Sequence, residues 1–127
     1  MFNKIEILQL AQGLASYSAA RQSVVARNIA NADTPGYKVQ DIAPFEQSYD
    51  AQSAAGIRTT RAAHIDGGAR LSLSTTALTP VSESSPNGNS VSLEAEMVKA
   101  SETRYQHDLA LAVYSSALGI VRTSIGR

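Results

Sequence analysis

The chain has 127 residues, enough for one compact domain, with 43% hydrophobic residues but only 6% aromatic ones. Eleven basic residues balance eleven acidic ones, and this zero net charge argues against nucleic acid as a partner, because phosphate binding needs an excess of Lys and Arg. There is no cysteine, which excludes disulfides and thiolate metal sites.

Targeting and membrane signals are also missing from the sequence. Residues 1–6 hold one Lys and one Glu and do not begin an apolar core, so we expect no cleaved signal peptide. No run of about 18 apolar residues occurs, so we expect no membrane span. If this protein leaves the cytoplasm, we expect it to do so without a cleaved signal peptide.

The first predicted element is a helix from about residue 3 to residue 31. Apolar residues recur at helical spacing along one stripe: Ile7, Leu10, Leu14, Tyr17 and Val24. A second stripe lies beside it: Leu8, Ala11, Ala15, Val25, Ile29 and Ala32. The first stripe becomes polar at Asn28 and Asn31, where buried amides could fix the register of a partner. Two stripes on a helix of about 42 Å predict partners on more than one side.

The sequence predicts a sharp end to this helix. Asn31 suits a left-handed C-cap, and Thr34 is pushed out of the helical region because a proline follows it. Pro35 and Gly36 fit the two central positions of a type II turn, where glycine supplies the positive φ. Tyr37 then begins an extended segment.

The middle of the chain, residues 38–89, has a different composition, rich in Gly, Pro, Ser and Thr. Residues 71–74 alternate as a short strand and could pair with residues 57–60 across the turn at residues 66–68. A two-stranded unit is marginal alone. We therefore expect a small β-element among loops, with residues 82–89 as a flexible linker.

The last predicted element is a helix from residue 90 to the C-terminus, with Glu94 and Glu96 placed to favour its N-terminal dipole. A heptad stripe follows: Met97, Ala100, Arg104, His107, Leu111, Tyr114, Leu118, Val121 and Ile125. The predicted fold is therefore mainly α, with two long terminal helices forming an antiparallel, coiled-coil-like hairpin around a short irregular or β middle. We expect this stripe to hold the hairpin together and the N-terminal helix to meet neighbouring chains.

No catalytic or cofactor site is predicted. His64 and His107 have no second ligand at metal spacing, and Glu94 and Glu96 lie on different helix faces, so they cannot share a proton. No nucleophile or phosphate-binding motif occurs in a suitable context. We expect a non-enzymatic subunit without cofactor or metal.

Residues 30–37, Ala-Asn-Ala-Asp-Thr-Pro-Gly-Tyr, resemble the Ala-Asn-x-x-Thr-x-Gly-Tyr motif of the axial proteins of the bacterial flagellum. The short chain is similar to the proximal rod members of that family. Thr60 followed by His64-Ile65, and residues 89–97, Asn-Ser-Val-Ser-Leu-Glu-Ala-Glu-Met, resemble elements of one proximal rod subfamily. Ser92 departs from the Asp usual in the second of these.

The resemblance implies a rod subunit that is exported by the flagellar type III system and assembles helically in the periplasm. Implied partners are copies of itself, rod proteins of the FlgC, FlgF and FlgG type, the adaptor FliE, and the MS ring with its export gate. The implied organisation is an axial core formed by residues 1–37 and 90–127, with residues 38–89 as a partly flexible loop or β-hairpin segment. We expect assembly contacts from the following residues: Leu10, Leu14, Tyr17, Val24, Asn28, Asn31, Thr34, Pro35, Gly36, Tyr37, Met97, Leu111, Tyr114, Leu118, Val121 and Ile125.

Two alternatives remain at this point. The sister proximal rod protein, FlgC, shares the first motif but lacks the His element. A helical export adaptor or chaperone would instead bind one partner as a stable cytoplasmic dimer.

Overall fold

A computed structural model describes residues 2–47, 77–78 and 84–126 of the chain, and its structural features are given for these residues. Four elements follow one another: α1 (Phe2–Ala30), β1 (Asp41–Ile42), β2 (Ala77–Leu78) and α2 (Leu93–Ile125). The two helices pack against each other along their length. The predicted mainly helical fold, with long terminal helices and a short middle, is confirmed.

The two helices run antiparallel. Asn28, near the end of α1, is hydrogen-bonded to Glu96, in the first turn of α2. At the opposite end, Ile7 and Ala117 line the same groove. At 1.5 Å per residue the helices are about 44 and 50 Å long, so one long seam provides most of the contact between them.

The face of α2 that packs on α1 is made of small or polar residues. Glu96, Thr103 and Ala110, seven residues apart, are buried, and Ala117 continues the row half-buried. We call these four residues the seam. On α1 the buried side chains are those of Ala11, Tyr17, Ser18, Val25 and Asn28.

The predicted heptad stripe does not hold the hairpin together. Met97, Leu111 and Ile125 are 60%, 48% and 71% exposed, so this part of the prediction is wrong. The pattern of α2 is offset by one residue from the predicted one. At the first buried position of α2, Glu96 is hydrogen-bonded to Asn28 of α1.

The corner after α1 begins with the predicted turn. The Tyr37 N–H donates to the Thr34 carbonyl at 3.3 Å, and Gly36 has a φ of +74°, which confirms the type II turn over Pro35 and Gly36. The left-handed cap at Asn31 is wrong, because in the described residues only Gly36 and Gly88 have positive φ. Asn31 instead donates from Nδ2 to the Arg27 carbonyl at 2.8 Å.

A second turn, just before α2, packs against this corner. Asn89 is buried and its Nδ2 donates to the carbonyls of Asn31, Ala32 and Thr34, at 3.0, 2.7 and 2.9 Å. These carbonyls lie beyond the last turn of α1 and have no helical partner. Within the predicted linker at residues 82–89, residues 84–89 form a hydrogen-bonded turn.

The segment that leaves the corner runs back along α1. β1 pairs with β2 in antiparallel register, Asp41 opposite Leu78 and Ile42 opposite Ala77. Phe45 then packs against Tyr17 of α1, with ring centroids 5.5 Å apart and ring planes tilted by 58°. A small β-element is thus present, but the strands predicted at residues 57–60 and 71–74 lie outside the described residues.

We expect Asn89→Ala to destabilise the hairpin by about 2 kcal/mol, because three carbonyls at the end of α1 lose their common donor. Urea unfolding of the purified chain, followed by circular dichroism, measures the change. Ser84→Ala, at an exposed position of the same turn, is the matched control and should alter stability by less than about 0.5 kcal/mol. Equal stabilities for Asn89→Ala and the unsubstituted chain would contradict this role of Asn89.

Two glycine substitutions should change stability in opposite directions. At Gly36 an added Cβ would meet no atom within 4 Å, so Gly36→Ala is expected to cost about 1 kcal/mol through its positive φ alone. At Gly119, inside α2 and also without a close neighbour, Gly119→Ala should stabilise by about 0.5–1 kcal/mol. The same sign of change for both substitutions, measured in urea, would refute this explanation of the corner.

Candidate assembly surface

The Asn28 side chain makes four hydrogen bonds at the corner end of the hairpin. It is 0% exposed, and its Nδ2 donates to the Gln40 carbonyl at 2.6 Å and to Glu96 Oε2 at 2.9 Å. Its Oδ1 accepts from the Tyr37 hydroxyl at 3.2 Å and from the Gln40 N–H at 3.1 Å. Both donors and both acceptor positions of the amide are therefore used inside the chain.

A row of alternating charges continues from this amide. Glu96, 1% exposed, accepts from Lys99 Nζ at 2.9 Å through Oε1. Lys99 also lies 3.2 Å from Asp41 Oδ2, and Asp41 accepts from Arg21 Nε at 3.1 Å. The row ties α1, β1 and the first two turns of α2 together.

The environment keeps three of these groups charged at neutral pH. Burial alone would raise the pKa of Asp41, but hydrogen bonds from Arg21, the Ile42 N–H and Lys99 outweigh it and hold the pKa below its ordinary value. Burial likewise acts to lower the pKa of Arg21 and of Lys99. Their carboxylate partners overcome that effect and raise both pKa values.

This network leaves an apolar stripe of α2 open. Consecutive residues of a helix lie about 100° apart, so the residues that follow the seam residues point to one side of it. We use the name outer stripe for these four residues together with Ile125, which lies seven positions after the last of them: Met97, Arg104, Leu111, Leu118 and Ile125. Leu118 is half-buried and the other four are exposed. The outer stripe has the apolar residues of a helix–helix contact, but among the described residues no other helix covers it.

A further apolar surface lies on the opposite flank of the seam. It consists of these exposed residues of α2: Val98, Tyr105, Leu109, Val113 and Ile120. Near the start of α1 it continues into an open groove of about 400 Å³, lined by Ile7 on one side and Val113 and Ile120 on the other. Apolar side chains exposed on both flanks of one helix are typical of a subunit surface that other chains cover.

The structure divides the predicted assembly residues into three groups. Tyr17 and Asn28 are buried inside the hairpin, so they can affect assembly only by shaping it. The half-buried ones are Leu14, Val24, Asn31, Tyr37, Tyr114, Leu118 and Val121. The exposed ones are Leu10, Thr34, Pro35, Gly36, Met97, Leu111 and Ile125.

Three residues that matter for this geometry were not predicted from the sequence. Glu96 was expected to serve the helix dipole, Asn89 was placed in a linker, and Asp41 was not singled out. A usable signal for two of them existed, since Asn89 and Glu96 are polar residues at fixed positions of the motif over residues 89–97. For Asp41 the sequence offers no pattern, because its partners come from both helices.

A helix capable of crossing a bilayer is absent from residues 2–47 and 84–126. Within the same part of the chain no three acidic or histidine side chains are placed to hold a metal ion.

Comparison with known proteins agrees with the motifs at both ends of the chain. The family model described as flagella basal body rod protein matches residues 8–38, which cover most of α1 and the corner. The flagellar basal body rod protein FlgB of Agrobacterium fabrum (strain C58) is 38% identical over 117 residues, covering 88% of this chain and 87% of that protein.

Two further relatives carry the same name. FlgB of Escherichia coli (strain K12) is 30% identical over 135 residues, covering 93% of this chain and 92% of that protein. FlgB of Salmonella typhimurium (strain LT2) is 29% identical over 119 residues, covering 87% and 86%. Because this similarity extends along most of its length, the chain belongs to the FlgB family of flagellar basal body rod proteins, structural subunits of the proximal rod.

Proposed function

We propose that this rod subunit polymerises helically through its two terminal helices, and that the outer stripe of α2 is a principal contact with the next subunit. The observation that carries the proposal is the exposure of large apolar side chains along the whole of α2, from Leu93 at 47% to Ile125 at 71%. Burying one such side chain contributes roughly 1.5–3 kcal/mol, so a few of them are enough to drive association.

The length of α2 supports a helical neighbour. The outer stripe extends from Met97 to Ile125, about 42 Å at 1.5 Å per residue, which is close to the length of α1 in another copy. Residues repeat along it every seven positions, the spacing that packs helices side by side. The zero net charge removes any overall repulsion between copies.

The neighbours we propose are other subunits of the proximal rod. They are copies of this chain and rod proteins of the FlgC, FlgF and FlgG type, with the adaptor FliE and the MS ring at the base. We also propose that the chain reaches the periplasm through the flagellar type III export gate and helps to form the drive shaft and its central channel.

An export adaptor or chaperone is the alternative from another class, and it is not favoured, because the relatives are named as rod proteins. Purified hook–basal bodies separate the two functions. The rod function predicts the chain inside them at constant proportion to other rod proteins. Its absence from basal bodies, together with a stable cytoplasmic dimer, would contradict the proposal.

Leu111→Asp should abolish motility, because the carboxylate would be buried without a partner in the subunit contact. The change is tolerated in the single chain, where Leu111 is half exposed, so the helicity of the purified protein and its secretion should stay unchanged. A swimming assay and blots of basal-body and culture fractions measure the three effects.

Ser101→Asp is the control for Leu111→Asp. It places the same charge at an exposed position on the polar side of the same helix. We expect cells with Ser101→Asp to swim. Normal swimming by the Leu111→Asp strain would show that the outer stripe is not a subunit contact.

A further inference from the structure

Helix α2 packs its less apolar face on α1. The seam contains a glutamate, a threonine and two alanines, whereas the outer stripe contains a methionine, two leucines, an isoleucine and one arginine, Arg104. Hydrophobic burial within one chain would favour the reverse arrangement, with the outer stripe inside. Something other than apolar contact must therefore decide which face of α2 meets α1.

The alternative orientation is close in angle. Four half-buried residues lie beside both the seam and the outer stripe, and they would contact α1 in either orientation: Ala100, His107, Tyr114 and Val121. Exchanging the seam for the outer stripe moves one row of contacts by one residue, about 100°, and leaves the other row in place. The face of α2 that meets α1 would therefore roll by roughly 50°, half of the angle between consecutive residues. So small a roll requires no change in the length or direction of either helix.

The seam itself shows a local cost. Thr103 is 0% exposed, and among the described residues its Oγ1 has no hydrogen-bond partner. Burying a hydroxyl without a partner opposes folding. The observed rotation is therefore not the best one for the middle of the seam, and its cause must lie elsewhere along the helix.

The polar contacts at the start of α2 supply that cause. Glu96 is bonded to Asn28, whose amide is fixed in turn by Tyr37 and Gln40. One turn later Lys99 meets Asp41. A roll of α2 would break both contacts, and one of the two Nδ2 hydrogens of the buried Asn28 amide would lose its acceptor. A single buried polar contact of this kind can fix the register of packed helices.

We propose that the Asn28–Glu96 contact is a positioning device that sets the rotation of α2 and so keeps the outer stripe open for a second rod subunit. The proposal rests on the proposed function for the identity of that occupant. It makes Asn28 and Glu96 specificity-determining residues, although neither touches the neighbour. Without them, α2 would turn the outer stripe toward α1 of its own chain, and the stripe would no longer be exposed for contact with another subunit.

Thiol labelling of the full-length chain tests this rotation, because the native sequence has no cysteine. Ala110→Cys places a thiol in the seam and Leu111→Cys places one in the outer stripe. With Asn28 and Glu96 present, a maleimide should label position 111 at least about tenfold faster than position 110. The measurement uses dilute monomer, checked by sedimentation, so that no neighbour protects either site.

The decisive background carries Asn28→Leu and Glu96→Leu together. There the order of labelling should reverse, position 110 becoming the faster one, while helicity stays equal or rises and association at high concentration is lost. Glu96→Gln keeps an acceptor for Asn28 and should retain the original order. Glu94→Leu, the same substitution at an exposed site two residues away, should also retain it.

Three results would overturn the proposal. One is an unchanged labelling order in the double Leu background, since the rotation would then be set elsewhere. Another is loss of helicity there, which would make the contact a requirement for folding and not for orientation. A third is labelling of both positions at the rate of the urea-unfolded chain with Asn28 and Glu96 present. The labelling experiment uses purified monomer and does not depend on the flagellum. If the labelling order reverses but the chain is absent from basal bodies, the proposed function is contradicted and the role of the Asn28–Glu96 contact is not.

Discussion

The hydrogen bond between the buried amide of Asn28 and the buried carboxylate of Glu96 is the contact that we propose sets the rotation of α2 on α1. A charge removed from water gains little net stability from its partner, because desolvation offsets most of the attraction. Such a contact can instead select one orientation of α2, because a roll of the helix would separate the two buried groups. In this account the polar contact determines the rotation of α2, and the apolar contacts of the seam are those that this rotation allows.

The corner between the helices gives this contact its geometry. The motif at the end of α1 and the motif at the start of α2 are two halves of one structure, joined by Asn89 across the three carbonyls after α1. Gly36 and Gly88, the two glycines with positive φ, lie back to back in it, since a Cβ on Gly88 would sit 3.4 Å from the Gly36 Cα. The residues that resemble the flagellar axial family thus act inside the chain: they hold Tyr37, and through it Asn28, in place.

The parts of the fold that local rules control were predictable. The stripes of α1 and α2, the proline and glycine of the corner, and the antiparallel return of the chain all follow from spacing, φ preferences and connection length. The rotation of α2 was not predicted correctly, because hydrophobic patterning favours the more apolar stripe as the face that packs on α1. That choice fails through Glu96, whose partner Asn28 is 68 residues away in the sequence. The buried Asn28 was expected to fix the register of a partner, and its four hydrogen bonds lie within its own chain. Asn89 was missed because a polar residue in a Ser-, Asn- and Gly-rich stretch is typical of a loop, and only the position of the α1 carbonyls gives it a role.

For a proximal rod subunit this arrangement separates two tasks along one helix. The polar face of α2 forms the hairpin, and the apolar faces stay available for other chains. The measurement that tests this most directly is a side-chain-resolution electron cryomicroscopy map of the assembled rod containing this subunit. The account predicts Asn28 and Glu96 within hydrogen-bond distance in every copy, with Met97, Leu111 and Leu118 against a neighbouring subunit. A map in which these three side chains pack on α1 of their own chain, with Glu96 turned outward, would contradict it.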